Sequence, residues 1–254
     1  MSIQFIKPDW PQPESVHAIV TTRIGGNSLA PYESLNLAKH VSDNEKLVTQ
    51  NRENIAHEIG ADDKDFQWQW LEQIHSSDVV KLDHQVAVPK ADGLVTSASK
   101  LICCVLTADC LPVLFCNEKG TEVAIAHGGW RGLANGIIAN TVASMESHPS
   151  TLMAWLGPAI GPCHFEVGED VRLQFQAAES ESTVLDYFAS QGSQKYLADL
   201  YGIARMQLNK LGVNRVFGGE HCTFCDVQNF YSYRRDGVTV RMLSAIWLDP
   251  TSLS

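Results

Sequence analysis

The sequence predicts a single α/β domain over residues 1–254, with mixed sheets and with helices on the outside. The length allows one large domain, and 44% hydrophobic with 19% charged residues is typical of a compact fold. Apolar and β-branched runs alternate with segments of helical periodicity. No linker, repeat or charge block marks a domain boundary.

The first half of the chain predicts one helix among several strands. The β-branched segment at 17–23 predicts a strand that ends in a glycine turn. A helix is expected after Ser42, which has capping-box spacing to Glu45, and it should end at Gly60. Further strands are predicted at 66–70, 78–82, 101–108, 113–116 and 121–127.

The second half predicts three helices. One should run from Trp130 to about Met145, a short one should begin at Glu169, and one should run from Tyr196 to Leu211. The segment between the first two is rich in glycine and proline and is predicted to be irregular. The remaining strands are predicted at 151–157, 213–219 and 239–248.

Charge and composition exclude several classes of protein. The net charge of −10 argues against general nucleic-acid binding, which needs clustered Lys and Arg. No apolar run is long enough to span a membrane, and the first ten residues do not resemble an export signal. We therefore expect a cytoplasmic protein whose seven cysteines are mostly free thiols. The absence of heptads favours a monomer or a weak homodimer.

Three residues suggest a metal site: His75 in QIHSSDVV, Cys110 in TADCLPVLF and His127 in AIAHGGWRG. Two imidazoles and one thiolate hold zinc while a coordination position stays open for water or substrate. The three residues are far apart in sequence, so spacing alone does not bring them together. On the residues alone, a core thiol and two core histidines are an equally good interpretation.

Copper is the alternative metal. A site with two histidines, one cysteine and a weak axial methionine describes blue copper, and Met145 and Met153 are candidate axial ligands. The chain has nine histidines but no His-x-His pair, which is too few for a multicopper oxidase cluster.

Several arginines are candidates for binding an anion. Arg131 follows two glycines at a predicted helix start, where free N–H groups favour an anion, and Arg23 has a similar setting. Tight turns or solvated surface loops are the alternative interpretation. A late basic cluster contains Arg234, Arg235 and Arg241.

The other cysteines give weaker signals. Cys163 and His164 are adjacent, but neighbouring residues seldom form a nucleophile–base pair. Cys222 and Cys225 form a single CxxC, which is weak evidence for redox chemistry or zinc because no second pair follows.

The chain resembles the laccase-domain family, whose members are also described as multicopper polyphenol oxidoreductase-like or bacterial purine nucleoside phosphorylase proteins. The resemblance runs nearly end to end and includes the three segments quoted above. Further matching segments are TTRIGGNS (21–28), SLNLAKHVSD (34–43), NRENI (51–55), ADGLVT (91–96), GPAIGPCHFEVG (157–168), HCTFC (221–225) and FYSYRRDG (230–237).

This resemblance implies a layered α/β/β/α fold with a mixed β-sandwich, and a zinc site whose ligands are His75, Cys110 and His127. It also implies phosphorolysis of the purine nucleosides adenosine, inosine, guanosine and methylthioadenosine, with some deamination of adenosine. A copper-dependent, laccase-like oxidation of polyphenols and an editing role on peptidoglycan precursors are the alternatives that the family leaves open.

For the nucleoside reaction we predict that Cys110, Arg23 and Arg131 are catalytic. Arg23 and Arg131, together with Arg234 and Arg235, are predicted to bind phosphate, and aromatic residues at 230–233 are candidates for stacking on the purine. A structural metal protein is a further alternative, in which His164 or His221 would supply a fourth ligand and close the site.

Overall fold

A computed structural model describes residues 2–179 and 182–249 of the chain. The strands are β1 (Phe5–Ile6), β2 (Val16–Thr21), β3 (Gln67–Gln69), β4 (Val79–Lys81), β5 (Gly93–Thr96), β6 (Leu101–Thr107), β7 (Leu111–Asn117), β8 (Val123–Gly128), β9 (Leu152–Leu156), β10 (Glu166–Gly168), β11 (Phe188–Gly192), β12 (Lys195–Ala198), β13 (Arg215–Gly218) and β14 (Met242–Leu248). The α-helices are α1 (Glu45–Glu58), α2 (Trp130–Ala134), α3 (Ile137–Ser144), α4 (Glu169–Ala178), α5 (Leu200–Lys210) and α6 (Tyr233–Asp236). Among these described helices, none is both long enough and apolar enough to cross a membrane.

Two large mixed sheets pack face to face. One has the strand order β1-β2-β14-β6-β3, and the other has the order β13-β9-β7-β8-β5-β4. Strands β6, β7, β8 and β14 are buried along their whole length, which explains their continuous apolar sequences. The core between the sheets includes Val20, Val105 and Ile246 from the first sheet and Leu114, Ile125 and Trp155 from the second.

Helices cover the outer face of each sheet. Ile55 of α1 belongs to the same hydrophobic core cluster as Ile102 and Leu243 of the first sheet. Ile138 of α3 and Leu208 of α5 belong to the core on the outer face of the second sheet. The layered α/β/β/α fold with a mixed sandwich is therefore confirmed, and each predicted strand is present within a few residues of its expected bounds.

Two predicted helix boundaries are wrong. Helix α1 is capped by Asn44, whose side chain accepts a hydrogen bond from the Lys46 amide, and Ser42 lies outside it. The continuous helix predicted from Trp130 to Met145 is two helices separated at Gly136, whose φ of 90° is left-handed and interrupts an α-helix.

The predicted start of the helix at Tyr196 is also wrong. Tyr196 and Leu197 belong to β12, which pairs with β10 and β11 in a small antiparallel sheet that the sequence did not suggest. Helix α5 begins at Leu200, and the Asp199 carboxylate caps it by accepting a hydrogen bond from the Gly202 amide at 3.0 Å. Leu197 is in helical phase with the apolar residues of α5, so the hydrophobic pattern did not show the boundary between β12 and α5.

Candidate metal centre and its cavity

His75, Cys110 and His127 come together from three separate elements. His75 lies in the loop between β3 and β4, Cys110 in the turn between β6 and β7, and His127 in β8. The Cys110 Sγ atom is 4.0 Å from His75 Nε2, and the potential ligand atoms of all three lie within 4.8 Å of one another. Ligand atoms of a tetrahedral zinc ion are separated by about 3.5 Å, so a small contraction is enough to bind one.

The buried carboxylate of Asp92 positions both histidines. Its oxygens accept hydrogen bonds from the amides of Ile74 (3.2 Å), His75 (3.1 Å) and Ser76 (2.7 Å) and from the Ser76 hydroxyl (2.9 Å). The His127 Nδ1 atom lies 2.7 Å from Asp92 Oδ1. Burial opposes ionisation of Asp92, but hydrogen bonds from His127 and Ser76 outweigh it and lower its pKa to about 2.

The same hydrogen bond determines which nitrogen of His127 faces the other ligands. Because the ionised Asp92 can only accept, Nδ1 of His127 carries the proton and donates it, which leaves Nε2 on the side of Cys110. Burial opposes ionisation of the Cys110 thiol, but His127 and His75 outweigh this effect and lower its pKa to about 6. The thiolate is the form of cysteine that binds metals.

A glycine leaves room beside all three ligands. A methyl group added at Gly129 would lie 3.0 Å from His75 Cδ2, 3.3 Å from Cys110 Sγ and 3.6 Å from His127 Cε1. The backbone φ of Gly129 is −62°, which any residue can adopt, so glycine is required here for space and not for conformation.

A second buried acid, Asp109, holds the turn that carries Cys110. Its φ is 86°, and its carboxylate accepts hydrogen bonds from Thr223 Oγ1 (2.6 Å), Ser232 Oγ (3.0 Å) and the Arg234 amide (2.7 Å). The turn is therefore fastened to the last part of the chain.

The three candidate ligands face a cavity of about 590 Å³, which is within the size range of small-molecule sites. The polar residues that line it besides these three are His40, Glu72, Gln73, Thr107, Tyr233 and Arg241. The cavity therefore places a potential metal beside groups that can contact a substrate.

Two of the lining residues, Arg241 and Tyr233, have polar groups that can contact a bound molecule. Within the described residues, the Arg241 guanidinium donates to the carbonyl oxygens of Thr239 (3.3 Å) and Val240 (3.1 Å) through one nitrogen only. Tyr233 is 61% exposed, with Arg241 over its ring. The Thr107 hydroxyl has no hydrogen-bond partner among the described residues, but its oxygen is buried.

The four arginines predicted to bind phosphate lie elsewhere. Arg23 and Arg235 donate to backbone carbonyl oxygens, as does Arg234. Arg131 is exposed and packs over the ring of Trp130. None of these four lines the cavity, whereas Arg241 does. Their assignment as phosphate ligands stays a prediction.

The other candidates for metal binding are also accounted for. Met145 and Met153 are buried in hydrophobic cores and do not line the cavity. His164 lies with Cys222 and Cys225, and neither His164 nor His221 joins the group formed by the three described ligand candidates. That group has three members, which is the arrangement of an open site.

Sequence reasoning missed Asp92 and Thr107 as residues of the site. It placed Tyr233 among the aromatic candidates for stacking, and it placed Arg241 in the late basic cluster without choosing it over the other arginines. Asp92 had a detectable signal, because an acid directly before a strand buried at every position needs several hydrogen-bond donors. The position of Thr107 had no comparable signal.

Comparison with known proteins shows similarity over nearly the whole chain. A family model described as multi-copper polyphenol oxidoreductase laccase matches residues 17–249. The Escherichia coli K12 protein named purine nucleoside phosphorylase YfiH is 48% identical over 96% of this chain and 99% of that protein. A Haemophilus influenzae protein named purine nucleoside phosphorylase is 42% identical over 97% of this chain and 100% of that protein.

The fold also matches a solved structure. The crystal structure of Neisseria meningitidis protein NMB0706 has a TM-score of 0.90 and is 47% identical, with 96% of this chain and 99% of that chain covered.

The role of Asp92 predicts the effect of Asp92→Asn on metal binding. The change keeps the shape but removes the charge that orients His127, so the zinc affinity should fall about 10- to 100-fold. Competition with a chromophoric chelator measures this affinity. Ser76→Ala, which removes one hydrogen bond to Asp92, is the matched control and should have a smaller effect. An unchanged affinity in a folded Asp92→Asn protein would contradict the role given to this carboxylate.

The space at Gly129 predicts that Gly129→Ala weakens zinc binding about tenfold, because the added methyl must push the His75 ring or the Cys110 sulfur out of position. Gly168→Ala is the control, since its methyl would meet only the movable Asp170 side chain. The same chelator titration applies. Equal affinities in the two variants would show that the ligands have more freedom than the packing indicates.

Proposed function

The chain belongs to the multi-copper polyphenol oxidoreductase laccase family, and we propose that it is a zinc-dependent purine nucleoside phosphorylase. The observation that carries this proposal is that the His75–Cys110–His127 group and the Arg241 guanidinium line one cavity of about 590 Å³. Relatives that are 42% and 48% identical carry the name purine nucleoside phosphorylase, which supports the same reaction here.

We propose that His75, Cys110 and His127 are the metal ligands. Two imidazoles and a thiolate fit zinc, and the hydrogen bond from His127 to Asp92 is typical of zinc-bound histidine. A zinc ion on three protein ligands supplies a Lewis acid with a position open to substrate or water. The ligands themselves are held in place by Asp92 and Asp109, so little reorganisation is needed on binding.

The reaction cleaves a nucleoside with inorganic phosphate. A phosphate oxygen attacks C1′ of the ribose as the bond from C1′ to the purine nitrogen breaks, and the electron pair of that bond leaves with the base. The base takes up one proton, which balances the proton that phosphate loses. The products are the free purine and ribose 1-phosphate. The chain must therefore hold an anion beside a sugar and must bind a flat aromatic base.

The cavity residues fit these needs. Arg241 can donate to phosphate through the guanidinium nitrogens that the backbone does not use. The exposed Tyr233 ring can stack on the purine. Phe230 and Tyr231, by contrast, are buried in the core.

Adenosine, inosine, guanosine and methylthioadenosine are the proposed substrates, and deamination of adenosine is a proposed second activity that the open metal position supports. The seven cysteines are free thiols, which supports a reducing compartment such as the cytoplasm. The expected monomer or weak homodimer stays a prediction.

A copper-dependent oxidation of phenols is the second candidate, and one observation favours it: two histidines and a cysteine also bind copper. Met145 and Met153, the candidate axial ligands of a blue-copper centre, are buried in hydrophobic cores and do not line the cavity, so neither can supply that ligand. Oxygen consumption with a phenol and an intense visible absorption band would identify copper chemistry.

The proposed function predicts that zinc-loaded protein converts inosine and phosphate to hypoxanthine, and that no base is released without phosphate. Chromatography of the free base measures the reaction. Cys110→Ala should lose the zinc of this site and activity together, because it removes the one anionic ligand. His57→Ala, a change on the exposed surface, should retain both. Phosphate-dependent turnover in a Cys110→Ala protein free of metal would rule out this assignment.

The position of Arg241 predicts that Arg241→Ala raises the KM for phosphate about tenfold or more, since a charge-assisted hydrogen bond contributes about 1.5–3 kcal/mol. Arg241→Lys should restore part of the affinity. Arg131→Ala is the matched control and should stay within about twofold, because its side chain lies on the surface outside the cavity. Initial rates at varied phosphate give the result. A larger increase of the phosphate KM in Arg131→Ala than in Arg241→Ala would contradict this assignment and would place the phosphate site at the helix start near Arg131.

A further inference from the structure

A second group of metal-binding side chains forms away from the first. His164 follows β9 in the loop before β10, and Cys222 and Cys225 form the CxxC after β13. One ligand atom from each of the three lies within 4.8 Å of the other two, and the Cys225 Sγ atom is 3.4 Å from His164 Nδ1. The sequence contains no second CxxC pair, but the fold brings His164 to this one as a third potential ligand.

The group is held by contacts that suit a metal site. The Gly161 amide donates to Cys222 Sγ at 3.2 Å, and hydrogen bonds from amides to sulfur stabilise a thiolate. A methyl group at Gly161 would lie 3.1 Å from that sulfur, so glycine permits the approach. The ring of Phe224, which lies between the two cysteines, stacks on His164 with centroids 4.2 Å apart and fixes its plane.

A divalent cation bound between these side chains would hold both sulfurs as thiolates and would release their protons.

We propose that His164, Cys222 and Cys225 bind a second zinc ion that joins the two segments carrying them. Two cysteines with CxxC spacing and one histidine are ligand types that zinc favours.

This ion would fasten two segments that support the first site. The loop after β9 and the segment after β13 already touch through a bridge between Ala159 and Cys222, and the Thr223 amide donates to the Ala159 carbonyl at 2.9 Å. Thr223 in turn donates its hydroxyl to Asp109, the residue before Cys110. The second ion would therefore stabilise the support of the Cys110 turn without contacting a substrate.

The test measures the zinc content of full-length protein purified under reducing, anaerobic conditions. The intact chain should hold one zinc ion more than His164→Ala or Cys225→Ser. His221→Ala is the matched control, because His221 adjoins Cys222 but its ring packs against Phe230, and this variant should keep the full content.

The Cys110→Ala background separates the second site from the first. Cobalt-loaded Cys110→Ala protein should still show a sulfur-to-cobalt charge-transfer band, and adding Cys225→Ser should weaken it strongly. The result is independent of nucleoside activity, so it stands or fails separately from the proposed function. A Cys110→Ala protein without bound metal, or a disulfide between Cys222 and Cys225 in the anaerobic protein, would overturn the proposal.

Discussion

The ionised carboxylate of Asp92 is the constraint on which the candidate metal centre depends. A buried charge costs several kcal/mol unless it is paired and hydrogen-bonded, and here three amides, a hydroxyl and an imidazole offset that cost. To supply the amides, the chain at His75 adopts a φ of 59°, which is uncommon for a residue with a side chain. The hydrogen bonds that one buried carboxylate requires therefore determine both the path of the His75 loop and the orientation of the His127 ring.

Asp109 has the same function for the third ligand. It joins the Cys110 turn to Thr223 in the HCTFC segment and to Ser232 and Arg234 in the FYSYRRDG segment. Motifs that are far apart in the chain thus converge on a single acid beside Cys110. Because each candidate ligand is supported by a neighbouring buried carboxylate, the geometry is present before a metal binds, and the binding energy need not be spent on ordering loops.

The sequence was sufficient for features that depend on local chemistry. Apolar and β-branched runs predicted the strands of the two sheets except the short β1 and β5. Donor chemistry and the family resemblance selected His75, Cys110 and His127 as candidate ligands, and the fold brings these three together. Where two local patterns overlap, the prediction failed: Leu197 is in phase with α5 but pairs in a sheet, and only the capping residue Asp199 marks the boundary. The break in the helix after Trp130 had a signal in Asn135-Gly136, a common turn dipeptide.

The sequence could not show which arginine is available to bind phosphate. That depends on which guanidinium groups already donate hydrogen bonds to backbone carbonyl oxygens. Arg52, Arg205 and Arg235 each donate to carbonyl oxygens through more than one bond, so they act as clamps between segments. Arg241 uses one nitrogen in this way and lines the cavity. A net charge of −10 does not prevent a cavity of this kind from binding phosphate, since salt screens distant exposed charges over about 8 Å. The groups within that distance decide the field that an anion meets, and the Arg241 guanidinium, which lines the cavity, contributes favourably to it.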